Sequence, residues 1–330
     1  MYTRRQFIAL GGSAAILAAC NPNETTPAAE TAAAPAELRL DRVGLGLFTI
    51  PRSLNEDFPG TLAMLAQIGY KEIEFFGPYP FSIPEAHAYW KPIGEQLGIP
   101  QTGYYGRTPQ EIRTLLDEHG LTSPSMHVDL GTLRGNLGPM LEAATTIGQT
   151  YAGISAIPDA ERPNLDAYRR MADEFNGLGA RMKEAGVKLL YHNHGYGLAE
   201  MEGAIPLHAM LERLDPSLVA LEMDVYWTVA GGADPVALLE TYPDHYRLMH
   251  VKDMRENVRF AGDGGDAQQW IELFPYMADA GAGVLDLKGI LSAAKRTGVQ
   301  HFYLERDLAE DPKATLENSY RFLSTVPLTA

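Results

Sequence analysis

Residues 218–253 read LVALEMDVYWTVAGGADPVALLETYPDHYRLMHVKD. Residues 218–226 form an apolar, strand-like run, residues 234–242 have a helical pattern, and residues 246–253 return to a strand-like run. Strand, helix and strand in this order make a βαβ unit, whose two strands lie parallel because the helix carries the chain back. Both strand-like runs end in polar side chains: Glu222 and Asp224 in the first, His250, Lys252 and Asp253 in the second.

The same alternation extends in both directions. Strand-like runs occupy residues 43–49 (VGLGLFT), 70–76 (YKEIEFF), 123–129 (SPSMHVD), 150–157 (TYAGISAI), 187–194 (VKLLYHNH) and 299–305 (VQHFYLE). Helical patterns fill residues 61–68, 84–97, 108–119, 138–149, 164–185, 204–214, 287–297 and 312–324. Gly69 is placed to end the first of these, and Thr108 with Pro109 to start the third, as N-cap and first helical residue. Residues 77–106 are irregular apart from the one helix, and a long excursion follows residue 253. Eight strand–helix alternations predict an α/β fold, a (β/α)8 TIM barrel in a single domain spanning residues 38–330. The open doubly wound sheet is the alternative, but the glycine-rich turn it often carries after its first strand is absent.

The N-terminus reads differently. Arg4-Arg5, a short apolar run and Leu17-Ala18-Ala19-Cys20 have the pattern of a twin-arginine export signal over residues 1–20, with Cys20 as a candidate lipid-anchored first residue. Residues 21–37, rich in Pro, Ala, Thr and Glu, read as a flexible linker. The expectation is a periplasmic, membrane-anchored lipoprotein exported through the twin-arginine route. Cys20 is the only cysteine, so neither a disulfide framework nor a thiolate metal ligand is available. The net charge of −15 would become −17 on removal of Arg4 and Arg5, and so acidic a surface is a poor partner for nucleic acid.

In barrels of this kind the reactive groups lie at the C-terminal ends of the strands. The strand ends here carry Glu74, His127, His192 and His194, Asp224, His250 and Lys252, and Glu305 with Asp307. Imidazoles and carboxylates converging from several strands suit a divalent cation such as Mn²⁺, Co²⁺, Zn²⁺, Fe²⁺ or Mg²⁺. Alternation puts His192 and His194 on one face. Glu222 is expected one register away from the barrel-facing positions, in a structural role.

Several motifs, in their order and spacing, resemble the sugar phosphate isomerase/epimerase proteins of the xylose isomerase-like barrels. They are Gly46-Leu47-Phe48-Thr49, residues 65–77 (LAQIGYKEIEFFG), Pro124-Ser125-Met126-His127, Tyr191-His192-Asn193-His194, Met223-Asp224-Val225-Tyr226-Trp227, His250-Val251-Lys252-Asp253, residues 281–286 (GAGVLD) and Leu304-Glu305-Arg306-Asp307. The resemblance implies one divalent metal held by Asp224, His250 and Glu305. The fourth ligand is a carboxylate in many members; here His192 stands in its place, with His194 as the alternative. It further implies an enzyme acting on a small carbohydrate, a sugar or keto-sugar. A proton is abstracted next to a carbonyl, through a metal-stabilised enediolate. Glu305, or a histidine such as His194, takes that proton, while Lys252 or His127 assists, and Glu74, Trp227, Phe48 and Tyr104 line the sugar pocket.

Isomerisation or epimerisation is the main expectation. A lyase or dehydratase of keto-sugars or 3-keto-glycosides is the alternative, because His192 removes one of the two carboxylates that two-base epimerisation commonly uses. A non-catalytic sugar-binding lipoprotein is opposed by the intact metal residues. A phosphodiesterase resembling endonuclease IV is opposed by the acidic charge and by Trp227, which stands where that chemistry needs a further histidine.

Overall fold

The structure, a computed structural model, describes residues 38–329. The expected signal over residues 1–20, the linker over residues 21–37 and Cys20 lie outside the described residues. No helix among the described residues is long and apolar enough to cross a membrane.

Ten strands are present among them: β1 Gly44–Gly46, β2 Glu72–Phe76, β3 Thr122–His127, β4 Tyr151–Ile154, β5 Lys188–His192, β6 Val219–Asp224, β7 Tyr246–Val251, β8 Asp253–Met254, β9 Met277–Ala278 and β10 His301–Leu304. Eight of them close into a parallel barrel in the order β1-β10-β7-β6-β5-β4-β3-β2. This is the (β/α)8 architecture expected from the alternation, with helices between successive strands.

Local chemistry sets the element boundaries. Thr108 caps the helix Pro109–His119 in a reciprocal capping box with Glu111, and Gly69, at φ 124°, ends the helix Phe58–Ile68. Three short helices replace expected strand ends or loops: Pro51–Glu56, Leu130–Gly135 and Val225–Ala230. The last shortens the expected strand 218–226, because the Asp224 side chain accepts from the Trp227 N–H and starts a helix there.

Odd positions of β6, Leu221 and Met223, join the core between barrel and helices. Even positions face the barrel axis, where Ala220 packs with Leu190, Leu248 and Tyr303 in one apolar layer. Glu222 and Asp224 continue that inward face toward the C-terminal mouth. The expectation that Glu222 lies off the barrel-facing register is therefore corrected: it is fully buried inside the barrel.

The excursion after β7 is also ordered. β8 and β9 pair antiparallel at its base, and the helix Ala267–Leu273 lies within it. The Asp253 carboxylate accepts from the backbone N–H groups of Met254, Gly281, Gly283 and Leu285, fixing the return of the chain. Arg162, from the segment after β4, holds the tip through Asp263 (2.7 Å) and the Gly265 carbonyl (3.0 Å).

Candidate active site

Four side chains meet just above the apolar layer. Asp224 spends Oδ1 on capping its helix, which leaves Oδ2 directed elsewhere: 3.6 Å from His192 Nε2 and 4.0 Å from His250 Nδ1. Glu305 Oε2 lies 2.8 Å from the same His250 Nδ1. The Asp224, His250 and Glu305 donor atoms all fall within 4.8 Å of one another. Asp224 Oδ2 is met by the Lys252 ammonium at 3.1 Å, whereas the buried Glu222 Oε1 has no hydrogen-bond partner, and leaving such an atom unmatched in a protein interior is costly. Imidazole nitrogens and carboxylate oxygens gathered this closely, with no sulfur, fit a divalent cation. Of the two histidines considered for this set, His192 is at the cluster. β5 ends at His192, and His194 turns away, donating from Nδ1 to the Ser155 carbonyl at 2.7 Å.

Lys252 is buried beside these donors. Its Nζ lies 2.7 Å from Glu305 Oε2, 2.8 Å from Asp307 Oδ1 and 3.1 Å from Asp224 Oδ2. Burial would lower the Lys252 pKa, but these three carboxylates outweigh it and hold the ammonium charged. Burial would raise Glu305, but the charges of His250 and Lys252 keep it well below the ordinary carboxylate range. Asp307 is pushed up to about 7: burial raises it, Lys252 opposes, and the Glu305 charge adds to the rise.

Beneath the four donors sits a hydrogen-bonded layer. Glu222 Oε2 is 2.7 Å from His127 Nε2 and 3.0 Å from His192 Nδ1. Glu74 Oε2 is 2.5 Å from His250 Nε2 and 3.3 Å from His127 Nε2. Glu74, expected in the sugar pocket, is thus buried below the cluster instead, and it also accepts from Ser125 Oγ. Burial pushes the Glu222 carboxyl up to about 7, with Glu74 adding to the rise. Burial, then the nearby His250 and His127, pushes His192 well below its ordinary value, so its imidazole is neutral, the form in which it can serve as a ligand. His127 keeps 12% of its side chain exposed and is the member of this layer that reaches the mouth.

Trp227, also expected in the pocket, is only 1% exposed. It lies under the Lys252 ammonium, 5.1 Å from ring centre to Nζ, and stacks against Phe260 and His194. Tyr104 is a core residue whose hydroxyl points to Met126 Sδ. The mouth is ringed by partly exposed aromatics instead: Phe48, Phe76, Trp90, Phe260, Trp270 and Phe274. Trp270 covers the His194 ring at 4.0 Å and is pinned by its Nε1–H to the Gly264 carbonyl. Burial, then the Lys252 charge, pushes His194 down to about 3, and the hydrogen bond to Ser155 offsets this only in part. Asp307 was named from sequence as a strand-end residue without a role and Glu222 in a structural one, while Phe260 and Trp270 were not singled out. A local signal exists only for Phe260, in Gly195: a Cβ there would sit 2.0 Å from the Phe260 ring.

Gly46 has a similar constraint at the His, Asp and Glu cluster, since a Cβ on it would lie 2.6 Å from Glu305 Oε1. Gly46→Ala should therefore displace Glu305 and weaken divalent-cation affinity about tenfold or more, the scale on which misplaced shells act on metal sites. Titration with Co²⁺ checks this; unchanged affinity would show that Glu305 is free to shift.

The profile of the Xylose isomerase-like TIM barrel family matches residues 62–326. The chain belongs to that family. Among curated relatives, the inosose dehydratase of Geobacillus kaustophilus (strain HTA426) is 40% identical over 217 residues, covering 62% of this chain and 68% of the relative. Matches to other inosose dehydratases are shorter, and the chain spans about a third of their length. Among solved structures, a sugar phosphate isomerase/epimerase from Parabacteroides distasonis ATCC 8503 superposes with a TM-score of 0.66 at 22% identity, covering 90% of this chain and 98% of that one. The IOLI protein, solved with a bound zinc atom, superposes with a TM-score of 0.59 at 15% identity, covering 86% and 96%. At these identities the two structures speak for the fold. Family membership and the buried His/Asp/Glu donors together indicate a metal-dependent, sugar-processing enzyme.

Proposed function

We propose that this chain is a divalent-metal-dependent carbon–oxygen lyase that removes water from a keto-sugar or a closely related cyclic polyhydroxy ketone. The observation that carries the reading is the Glu305–Lys252–Asp307 array. Both carboxylates leave the end of β10, two residues apart, and one ammonium joins them. Proton removal and proton donation then fall on one face of a bound substrate, the arrangement of a syn elimination.

His192, Asp224, His250 and Glu305 would hold the cation. A cation there supplies Lewis-acid polarisation of a substrate oxygen. Glu305, held ionised by its two cationic neighbours, accepts the proton from the carbon next to the carbonyl. The carbon–oxygen bond to the hydroxyl on the following carbon breaks as the carbon–carbon double bond forms. The leaving oxygen takes a proton through Asp307 and Lys252 and departs as water. The aromatic ring of the mouth excludes water and offers flat faces to a sugar's C–H surfaces. The 40% identity to an inosose dehydratase supports the same reaction class.

Isomerisation or epimerisation retains one specific support. His127, from β3, keeps an exposed edge three strands around the barrel from β10, where it could return a proton from another side. Incubation with inosose, free ketoses and 3-keto-glycosides in deuterated water separates the two. The proposal expects a product lighter by one water; deuterium entering a substrate of unchanged composition, with no water lost, would sink it. The paired arginines and Cys20 further support twin-arginine export to the periplasm with a lipid anchor, where free sugars and glycosides are the available substrates rather than phosphorylated ones.

A further inference from the structure

We propose that Glu222 is a positioning residue of the metal centre, holding His192 in the tautomer that turns Nε2 toward Asp224. The proposal rests on His192, Asp224, His250 and Glu305 being the donor set. Glu222 is set opposite His192 by the β5–β6 register and is fully buried. Its Oε2 accepts from His192 Nδ1 at 3.0 Å. An imidazole that donates from Nδ1 and stays neutral has its lone pair on Nε2, and Nε2 is the atom 3.6 Å from Asp224 Oδ2.

His250 repeats the relation with the nitrogens exchanged. Its Nε2 is 2.5 Å from Glu74 Oε2, which leaves Nδ1 facing Glu305 Oε2 and Asp224 Oδ2. Two glutamates thus brace the outer nitrogens of two ligand histidines, an arrangement that orients such ligands and raises their basicity. His127 ties the braces together, 2.7 Å from Glu222 and 3.3 Å from Glu74. The opposing assignment makes His127, His192, Glu222 and His250 ligands of a second ion, since their donor atoms also lie close together. The two assignments differ in stoichiometry: one ion per chain where Glu222 braces His192, two where Glu222 is itself a ligand.

Co²⁺ binding by the full chain tests the proposal, with affinity read by competition against a chromogenic chelator and geometry by the Co²⁺ visible spectrum. Glu222→Ala should weaken affinity about 10- to 100-fold and change the spectrum. Glu222→Gln, whose amide oxygen can still accept from His192 Nδ1, should recover most of both. Wild-type affinity and spectrum in Glu222→Ala would overturn the proposal, as would two Co²⁺ ions per chain in the wild type and one in the variant. A wild type that binds no Co²⁺ would overturn the donor set itself, and the proposal with it. The imidazole ¹⁵N signals of the Zn²⁺-loaded wild type need no variant: a proton on His192 Nδ1 is expected, and a proton on Nε2 would overturn the assignment.

Discussion

Glu305→Gln should abolish turnover, with kcat falling at least about 10³-fold, toward the upper range for loss of a general base. Glu305 Oε2 has two short contacts, to His250 Nδ1 and to Lys252 Nζ. The amide keeps the shape but loses the charge, so it can no longer take a proton from carbon, and its NH₂ group cannot serve a cation as a donor atom. The substitution also removes one of the three carboxylates around the buried Lys252 ammonium. Leaving a buried charge without any partner costs about 3–5 kcal/mol; Lys252 keeps Asp307 and Asp224, so thermal stability should fall with activity but by less than that. Glu305→Asp separates the two effects: the charge is retained near Lys252 while the oxygen is withdrawn by one methylene. Stability should then stay closer to wild type while kcat remains low. If Glu305→Gln kept about a tenth or more of wild-type turnover of the dehydrated substrate, Glu305 could not be the proton acceptor.

The barrel was readable because its signal is periodic and repeated eight times, and a parallel barrel buries both faces of every strand. The strand-end cluster of His, Asp and Glu was readable for a related reason, since strand ends are where this fold presents side chains to its mouth. What escaped depended on where a strand stops. Residues 218–226 look like one strand, and nothing local shows that Asp224 turns its carboxylate onto the Trp227 N–H and ends β6 there. With the end misplaced, the face of Glu222 was misassigned, although its spacing from Asp224 puts both inward. The same uncertainty left His192 and His194 equivalent by alternation; β5 stops at His192, and the chain beyond it bends so that His194 meets Ser155 and Trp270. Phe260 and Trp270 reach the site from an excursion far along the chain from His194, and no pattern of period two or 3.6 links them to it.

Removing the cation should have the second large effect, on stability as well as on activity. Glu74, Glu222, Asp224, Glu305 and Asp307 are all buried within one cluster, where Lys252 is the one permanently charged cation among the cluster's side chains. Protonation of His127 and His250 can compensate only in part, because burial opposes each charge. A dication bound to the folded state alone adds stability of RT ln(1 + [L]/Kd), about 2.7 kcal/mol at a hundredfold excess over Kd. For a domain of this size that amounts to roughly 4–5 °C in Tm. Dialysis against a chelator should therefore lower Tm by about that amount and abolish turnover, and adding back Mn²⁺, Co²⁺ or Zn²⁺ should restore both. Calorimetry and an activity assay on the same samples make the comparison. A protein whose Tm and turnover ignore both chelator and added metal would show that Lys252 and the histidines balance the cluster unaided, and that His192, Asp224, His250 and Glu305 form a proton-transfer network rather than a ligand set.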